Sequence, residues 1–74
     1  MKKLLISDEL DFSIAKHYLT SEYSIANYKS EFENGMISIH NIKNIIVIHT
    51  IEVYKKIRAY FTKIGIRAKF TKEI

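Results

Sequence analysis

The sequence predicts a small domain of the α+β class, with two helices and four strands. Apolar residues recur at the helical period in two segments, 9–20 and 50–64, and short apolar or alternating runs precede, separate and follow these segments. With 74 residues the chain is expected to form one domain, 1–74. A chain of this length buries only about 60% of its unfolded surface, so its core is marginal and gains stability from a partner.

The first strand and the first helix are predicted in the N-terminal third of the chain. Lys3–Ser7 is short and mostly apolar, which is typical of a strand. Ser7 and Asp8 then offer side-chain oxygens to the N–H groups at a helix start. The apolar residues of this helix cover one broad side and are expected to face the core: Leu10, Phe12, Ile14, Ala15, Tyr18 and Leu19.

Residues 22–35 fit two structures. In the first, which we favour, they form a strand, and Asn34–Gly35 makes a hairpin turn into the next strand. This interpretation is favoured because hydroxyl residues interrupt the helical pattern after Leu19. In the second, one long first helix covers 9–33, Gly35 caps it, and ββαβ follows.

The second half of the chain has clearer patterns. Alternation predicts a strand at 36–40, Asn41–Asn44 predicts a turn or bulge, and the apolar run Ile45–Ile48 predicts a strand covered on both faces. Thr50 is placed to cap a second helix that ends at Gly65. One arc of this helix is apolar and is expected to pack on the core: Val53, Tyr54, Ile57, Tyr60, Phe61 and Ile64.

The last strand is predicted at 66–71, with Ile66, Ala68 and Phe70 facing the core. The predicted order of elements is therefore βαββαβ. This order resembles the ferredoxin-like fold, in which two split βαβ halves form an antiparallel sheet with both helices on one face. The resemblance spans nearly the whole chain and rests on periodicity. Because this architecture carries many unrelated activities, it implies no function.

The sequence contains no catalytic, cofactor or metal motif. It has no cysteine, its two glycines cannot form a GxGxxG or P-loop motif, and no two histidines have helical ligand spacing. Asp8, Glu9 and Asp11 are explained by a helix start, where negative charge is favourable. His49 is a weak ligand-binding candidate because it ends a strand just before a helix. We therefore expect no enzyme activity, no cofactor, no metal and no small-molecule substrate.

Positive charge is concentrated in the second half of the chain. Residues 1–35 carry four Lys and six acidic residues, a net charge of −2, whereas residues 36–74 carry eight Lys and Arg and two acidic residues, a net charge of +6. We expect cations to project from the outer face of the second helix and from the open sheet face, together with an exposed tyrosine. The candidate partner-binding residues are Lys55, Lys56, Lys63, Arg67, Lys69 and Tyr28.

Two functions are compatible with these features. We favour a small non-enzymatic binding protein that acts through protein–protein contacts, as an inhibitor, adaptor or regulator, with another protein or a second copy in a homodimer as its partner. The alternative is a nucleic-acid-binding module that uses a basic sheet or helix face. No segment matches the aromatic RNP pattern of an RRM, which weakens the alternative.

Location and origin are indicated by composition. The apolar run 4–6 is shorter than the core of a secretory signal, and no run is long enough to span a membrane, so we expect a cytoplasmic protein without membrane contact. Fourteen Ile, ten Lys and no Pro are typical of AT-rich coding. Such coding is compatible with a phage or mobile element, for which a host or defence complex is the expected target.

Overall fold

A computed structural model describes residues 2–28 and 30–72. Its elements, in chain order, are β1 (Lys2–Leu5), α1 (Glu9–Glu22), β2 (Ala26–Tyr28), β3 (Glu31–Glu33), β4 (Ile37–His40), β5 (Ile45–Ile48), α2 (Ile51–Ile64) and β6 (Lys69–Lys72). The class is α+β, as predicted. The six strands form one antiparallel sheet in the order β2-β3-β4-β5-β1-β6.

The predicted element order is wrong in the segment 22–35. This segment holds two three-residue strands, β2 and β3, instead of one longer strand, so the observed order is βαββββαβ. The alternative of one helix over 9–33 is also wrong, because α1 ends at Glu22. Ser24, with a φ of 50°, takes a backbone conformation that a right-handed helix does not contain.

α1 begins where the residue chemistry predicts. Asp8 is the N-cap, and its Oδ2 accepts a hydrogen bond from the Asp11 N–H at 2.9 Å. Phe12, Ala15 and Leu19 form the buried stripe of the helix. All the apolar residues of α1 were expected to face the core, and this is wrong for Leu10 and Ile14, which are exposed. The reason is that one sheet can cover only part of the circumference of a helix.

α2 ends where glycine permits a left-handed residue. Gly65 has a φ of 83°, and its N–H donates to the carbonyls of Phe61 and Thr62. Thr50 occupies the N-cap position but makes no side-chain capping bond. Tyr54, Ile57 and Phe61 are the buried residues of this helix. Neither helix of the described residues has the length and apolar character needed to cross a membrane.

The core lies between the two helices and one face of the sheet. Cross-strand partners such as Leu4, Ile46 and Ile39 share that face and are fully buried. The buried apolar residues are Leu4, Ile6, Phe12, Ala15, Leu19, Ile25, Ile37, Ile39, Ile46, Ile48, Tyr54, Ile57, Phe61 and Ile66. Since both helices pack on this one face, the opposite face of the sheet has no helix over it.

β5 shows the consequence of this one-sided arrangement. The run Ile45–Ile48 was predicted to be covered on both faces, and this is wrong: Ile46 and Ile48 are buried, whereas Ile45 and Val47 are only half-buried. The continuous apolar run reflects a strand next to the centre of the sheet, with a core on one side and an apolar but accessible surface on the other.

The side chain of Asn34 fixes the turn that leads into β4. The Asn34 Oδ1 accepts the N–H groups of Met36 and Ile37, each at 2.8 Å, and the Asn34 Nδ2 donates to the Tyr23 carbonyl at 2.8 Å. The turn at Asn34–Gly35 is therefore where the sequence predicts it. It is held by side-chain bonds, and Gly35 does not need a positive φ there.

Candidate functional site

The sheet side without helices, called the open face here, carries two rows of side chains that the strand register defines. One row runs across the sheet through Lys69, Leu5, Ile45, His40, Glu31 and Tyr28, and the other from the backbone position of Thr71 through Lys3, Val47, Ser38, Glu33 and Ala26. Each row has a lysine on β6 or β1 and a glutamate on β3. The open face therefore changes from basic to apolar to acidic across the sheet.

A trough of about 420 Å³ occupies the middle of the open face. Ile45 and Val47 of β5 line it, with Lys3 on one side and Glu31 and His40 on the other. The turn between β4 and β5 borders one end. There Ile42 is 86% exposed, and the buried Asn41 Oδ1 has no hydrogen-bond partner among the described residues. An unsatisfied buried acceptor is uncommon in proteins, and here it lies beside an apolar depression.

The histidines of the sheet are held by neighbouring side chains. The His49 Nε2 lies 3.1 Å from the Ser38 Oγ, and the His40 Nδ1 lies 3.2 Å from the Glu31 Oε1. His49 was the weak ligand candidate, and the structure places it, exposed, on the open face. Among the residues described, no group of three His, Asp or Glu side chains is arranged to hold a metal ion.

The outer side of the helix layer carries a second accessible apolar surface, called the helix patch here. It consists of Leu10 and Ile14 of α1, which are 69% and 44% exposed, and Tyr60 and Ile64 of α2, which are 36% and 42% exposed. Leu10 and Ile14 are one helical turn apart, as are Tyr60 and Ile64. All four residues were predicted to face the core, and this prediction is wrong.

Two contacts between the helices relate the α1 part of the helix patch to its α2 part. The Tyr18 and Tyr60 rings stack with their centroids 4.2 Å apart, and the Arg67 Nε donates to the Asp11 Oδ2 at 3.1 Å. Ile14 lies between Asp11 and Tyr18 on α1, and Ile64 lies between Tyr60 and Arg67 just beyond α2. The two contacts therefore bring Ile14 and Ile64 to the same part of the helix–helix seam.

Tyr18 anchors the seam as a neutral side chain. Burial raises the pKa of its hydroxyl above the ordinary value for tyrosine, and the neighbouring Tyr23, Glu22 and Tyr60 add to the shift in the same direction. The phenol is therefore uncharged at physiological pH, and its ring stacks on the Tyr60 ring where the two helices meet.

Arg67 is not on the open face, where the alternation predicted it. β6 begins at Lys69, so Arg67 precedes the strand, and its Nη2 lies 3.1 Å from the Asp8 Oδ1. Its backbone N–H and its Nε both donate to the Asp11 Oδ2. The hydrogen bond and charge of Asp11, followed by the charge of Asp8, raise the pKa of Arg67. Two carboxylates thus neutralise this cation, and it links β6 to the start of α1.

The other predicted site residues are divided between the two surfaces. Lys69 and Tyr28 lie on the open face, at opposite ends of one row. Lys55, Lys56 and Lys63 are exposed on α2. By helical geometry Lys56 and Lys63 flank the Tyr60 and Ile64 side of the helix, and Lys55 points away from the core. The candidates therefore do not form one site.

Sequence reasoning missed the acidic side of the open face and the helix patch. Glu31 and Glu33 were not considered because their strand was not recognised as a separate element. For the helix patch a signal was present: the apolar residues of α1 spread over more of the circumference than one sheet can bury. The outermost of them, Leu10, was bound to be exposed.

Comparison of the chain with protein families, curated proteins and solved structures finds no match.

Proposed function

We propose that this chain is a small non-enzymatic binding protein that acts through protein–protein contacts, with the helix patch as the surface that binds another protein. The observation that carries the proposal is the exposure of four large apolar side chains on one surface: Leu10, Ile14, Tyr60 and Ile64. Isolated exposed apolar residues are ordinary, but contiguous ones rimmed by polar groups are typical of interaction sites. An inhibitor, an adaptor and a regulator each act by such binding.

The charges beside the helix patch define the chemistry of the partner. Lys56 and Lys63 border it on the α2 side, and α2 carries five charged residues of which Glu52 alone is acidic. The α1 side of the patch has the uncharged Ser13 next to Ile14. We infer a partner surface that is apolar at its centre and carries carboxylates on the side that meets α2.

We also infer that β1, β4, β5 and β6, together with both helices, form a ferredoxin-like βαββαβ core, to which the β2–β3 hairpin is added at one edge. The support is the order of these four strands in the sheet, β4-β5-β1-β6, and the position of each helix between two strands that are not adjacent in it. This inference concerns architecture and lends nothing to the function.

Nucleic-acid binding is the second candidate, and the charge distribution disfavours its sheet version. Glu31 and Glu33 occupy one side of the open face, the described residues at the centre of that face include no Phe, Tyr or Trp, and Arg67 is paired with carboxylates. Sheet modules that hold single strands need cations and stacking aromatics together. Lys55, Lys56 and Lys63 of α2 are the cations that a helix version would use.

The test is affinity capture from a lysate of the cell that encodes this chain, with the wild type and the variant Leu10→Asp as baits. Aspartate is well tolerated at the second residue of α1, because negative charge near a helix N-terminus is favourable. The matched control is Ile42→Asp, which places the same charge on an exposed aliphatic residue of a different surface. We expect one protein to be recovered with the wild type and the control and lost with Leu10→Asp.

Two outcomes of the capture experiment would contradict the proposal. Recovery that is the same for all three baits, or no protein recovered with the wild type, contradicts the proposal. If nuclease treatment abolishes recovery and Leu10→Asp leaves it unchanged, the second candidate replaces the first.

A further inference from the structure

The open face is complementary to itself. In one of its rows Lys3, Val47, Ser38 and Glu33 occupy four adjacent strands, in the order β1, β5, β4 and β3. The lysine and the glutamate are therefore at equal distances from the line between β5 and β4, which is also the midline of the six-stranded sheet. Opposite charges placed symmetrically about a midline attract when one copy of the face is turned over onto another.

We propose that the open face binds a second copy of this chain, in a dimer whose two-fold axis runs parallel to the strands along the midline of the sheet. Rotation about this axis reverses the strand order, so β1 of one protomer lies over β3 of its partner, and β5 lies over β4. Lys3 then faces Glu33, and Val47 faces Ser38, twice in the dimer. A two-fold axis across the strands would instead place lysine over lysine.

The other row places no two like charges over each other in this arrangement. Lys69 comes over Tyr28, Leu5 over Glu31 and Ile45 over His40, so Ile45 and Leu5 extend the apolar centre. Nucleic acid does not fit as the occupant, since its phosphates would lie against Glu31 and Glu33. The open face is also separate from the helix patch, so the dimer forms independently of the proposed protein partner and leaves that patch accessible on both protomers.

The trough is a further reason to expect that a second copy covers the open face. Ile45 and Val47 line it, and Ile42, at its rim, is 86% exposed. Exposed apolar side chains around a depression are typical of a surface that a partner covers.

The dimensions of the molecule set the expected strength of the dimer. Its principal extents are 28 × 25 × 24 Å, so no face of the molecule exceeds about 700 Å². Standard stable interfaces bury about 800 Å² on each partner, and smaller ones belong to weak complexes. We therefore expect a dissociation constant in the micromolar range.

The experiment is sedimentation velocity from about 1 μM to about 1 mM, a range that brackets a micromolar dissociation constant. The chains compared are the wild type, Lys3→Glu, Glu33→Lys and the double variant with both changes. Each single variant places like charges over each other, so its dimer weakens at least about tenfold, whereas the double variant exchanges the two sides and regains the affinity of the wild type. An equimolar mixture of the two single variants forms a heterodimer, because one open face is then acidic on both sides and the other is basic on both.

Controls keep the result unambiguous. Lys55→Glu changes the same charge on the outward side of α2 and leaves the dissociation constant unchanged. Circular dichroism shows whether each variant is folded, and Val47→Lys, at the centre of the open face, replaces Lys3→Glu if the latter is unfolded. A wild type that stays monomeric up to about 1 mM overturns the proposal. So does a dimer whose affinity is the same in the wild type, Glu33→Lys and Val47→Lys.

Discussion

Asp8 is the residue at which two parts of the fold meet. Its Oδ2 caps α1 through the Asp11 N–H, and its Oδ1 lies 3.1 Å from the Arg67 Nη2. The capping bond replaces a water that the free N–H would otherwise need, while the ion pair with Arg67 is exposed and contributes little by itself. The stabilising effect of this carboxylate is therefore mainly that of the cap.

The two N-caps provide a matched test of this reasoning. Asp8→Ala is expected to lower the free energy of unfolding by about 1 kcal/mol, because the capping bond is lost. Thr50→Ala, at the N-cap of α2 where the hydroxyl makes no capping bond, should cost less than about 0.5 kcal/mol. Urea denaturation followed by circular dichroism measures both. Equal costs for the two substitutions would show that the cap geometry described here is not what stabilises α1.

Arg67 shows what residue patterns leave undetermined. The alternation of apolar and polar residues in 66–71 predicts that Arg67 lies beside Lys69, on the solvent-exposed side of a strand. It leaves that position because the strand starts two residues later, and because Asp8 and Asp11 lie within reach. Both acidic residues were recognised as belonging to a helix start, but a partner 56 residues away along the chain cannot be found from local periodicity.

At the scale of elements, both helices could be predicted from the sequence and the segment between α1 and β4 could not. A helix leaves a signal over four turns, with a cap at its start and glycine or polar residues at its end. β2 and β3 have three residues each, too few for alternation to establish a strand, and no glycine or proline marks the turn between them. A helix whose pattern extends over many residues is predictable, and a hairpin of two three-residue strands is not.

The same contrast explains the outcome for the candidate site. The positions of Lys55, Lys56 and Lys63 on α2 follow from helical geometry alone. The open face depends on the register of six strands, and its acidic side lies on a strand that periodicity did not resolve. The sequence therefore indicated that cations and an open sheet face exist, but not that the face is basic on one side and acidic on the other.

The two glycines give a prediction for the ends of elements. Gly65 closes α2 with a φ of 83°, and a side chain there costs about 1 kcal/mol even though no atom lies within 4 Å of the added Cβ. Gly35 has equally open surroundings without a left-handed φ. Gly65→Ala should therefore destabilise the fold by about 1 kcal/mol, whereas Gly35→Ala should be neutral or stabilise it by about 0.5 kcal/mol.

Thermal and urea unfolding of the two alanine variants distinguish backbone strain from steric contact. Since both glycines have empty space around them, crowding cannot produce a difference. If the two variants unfold with the same free energy, the left-handed residue is not what terminates α2.

At the scale of the whole molecule, one core of fourteen buried apolar residues holds the described part of the chain together. Domains of this size have a total stability of about 4–11 kcal/mol, at roughly 0.05–0.15 kcal/mol per residue. Loss of one large core side chain is comparable to that total. Phe61 is fully buried, and it packs against Tyr18 at the contact of the two helices.

Phe61→Ala is expected to lower the free energy of unfolding by about 3–5 kcal/mol, which is a large part of that total. The matched control is Ile42→Ala, which removes an aliphatic side chain that is 86% exposed and should change stability by less than about 0.5 kcal/mol. Denaturant unfolding at a fixed protein concentration measures both, since a dimer would make the midpoint depend on concentration. A Phe61→Ala variant as stable as the wild type would mean that the helices and the sheet do not share one core.

The position of β1 in the sheet has a consequence for the order in which the chain acquires structure. β1 is formed by residues 2–5, yet its two neighbours are β5 and β6, at residues 45–48 and 69–72. During synthesis β1 can pair with nothing until β5 has left the ribosome, and it keeps an unpaired edge until β6 follows. α1 and the β2–β3–β4 meander depend only on nearer residues and can form earlier. Assembly of the sheet is thus expected to finish at β1, which precedes the other strands in the chain, through contacts of large sequence separation that fold slowly.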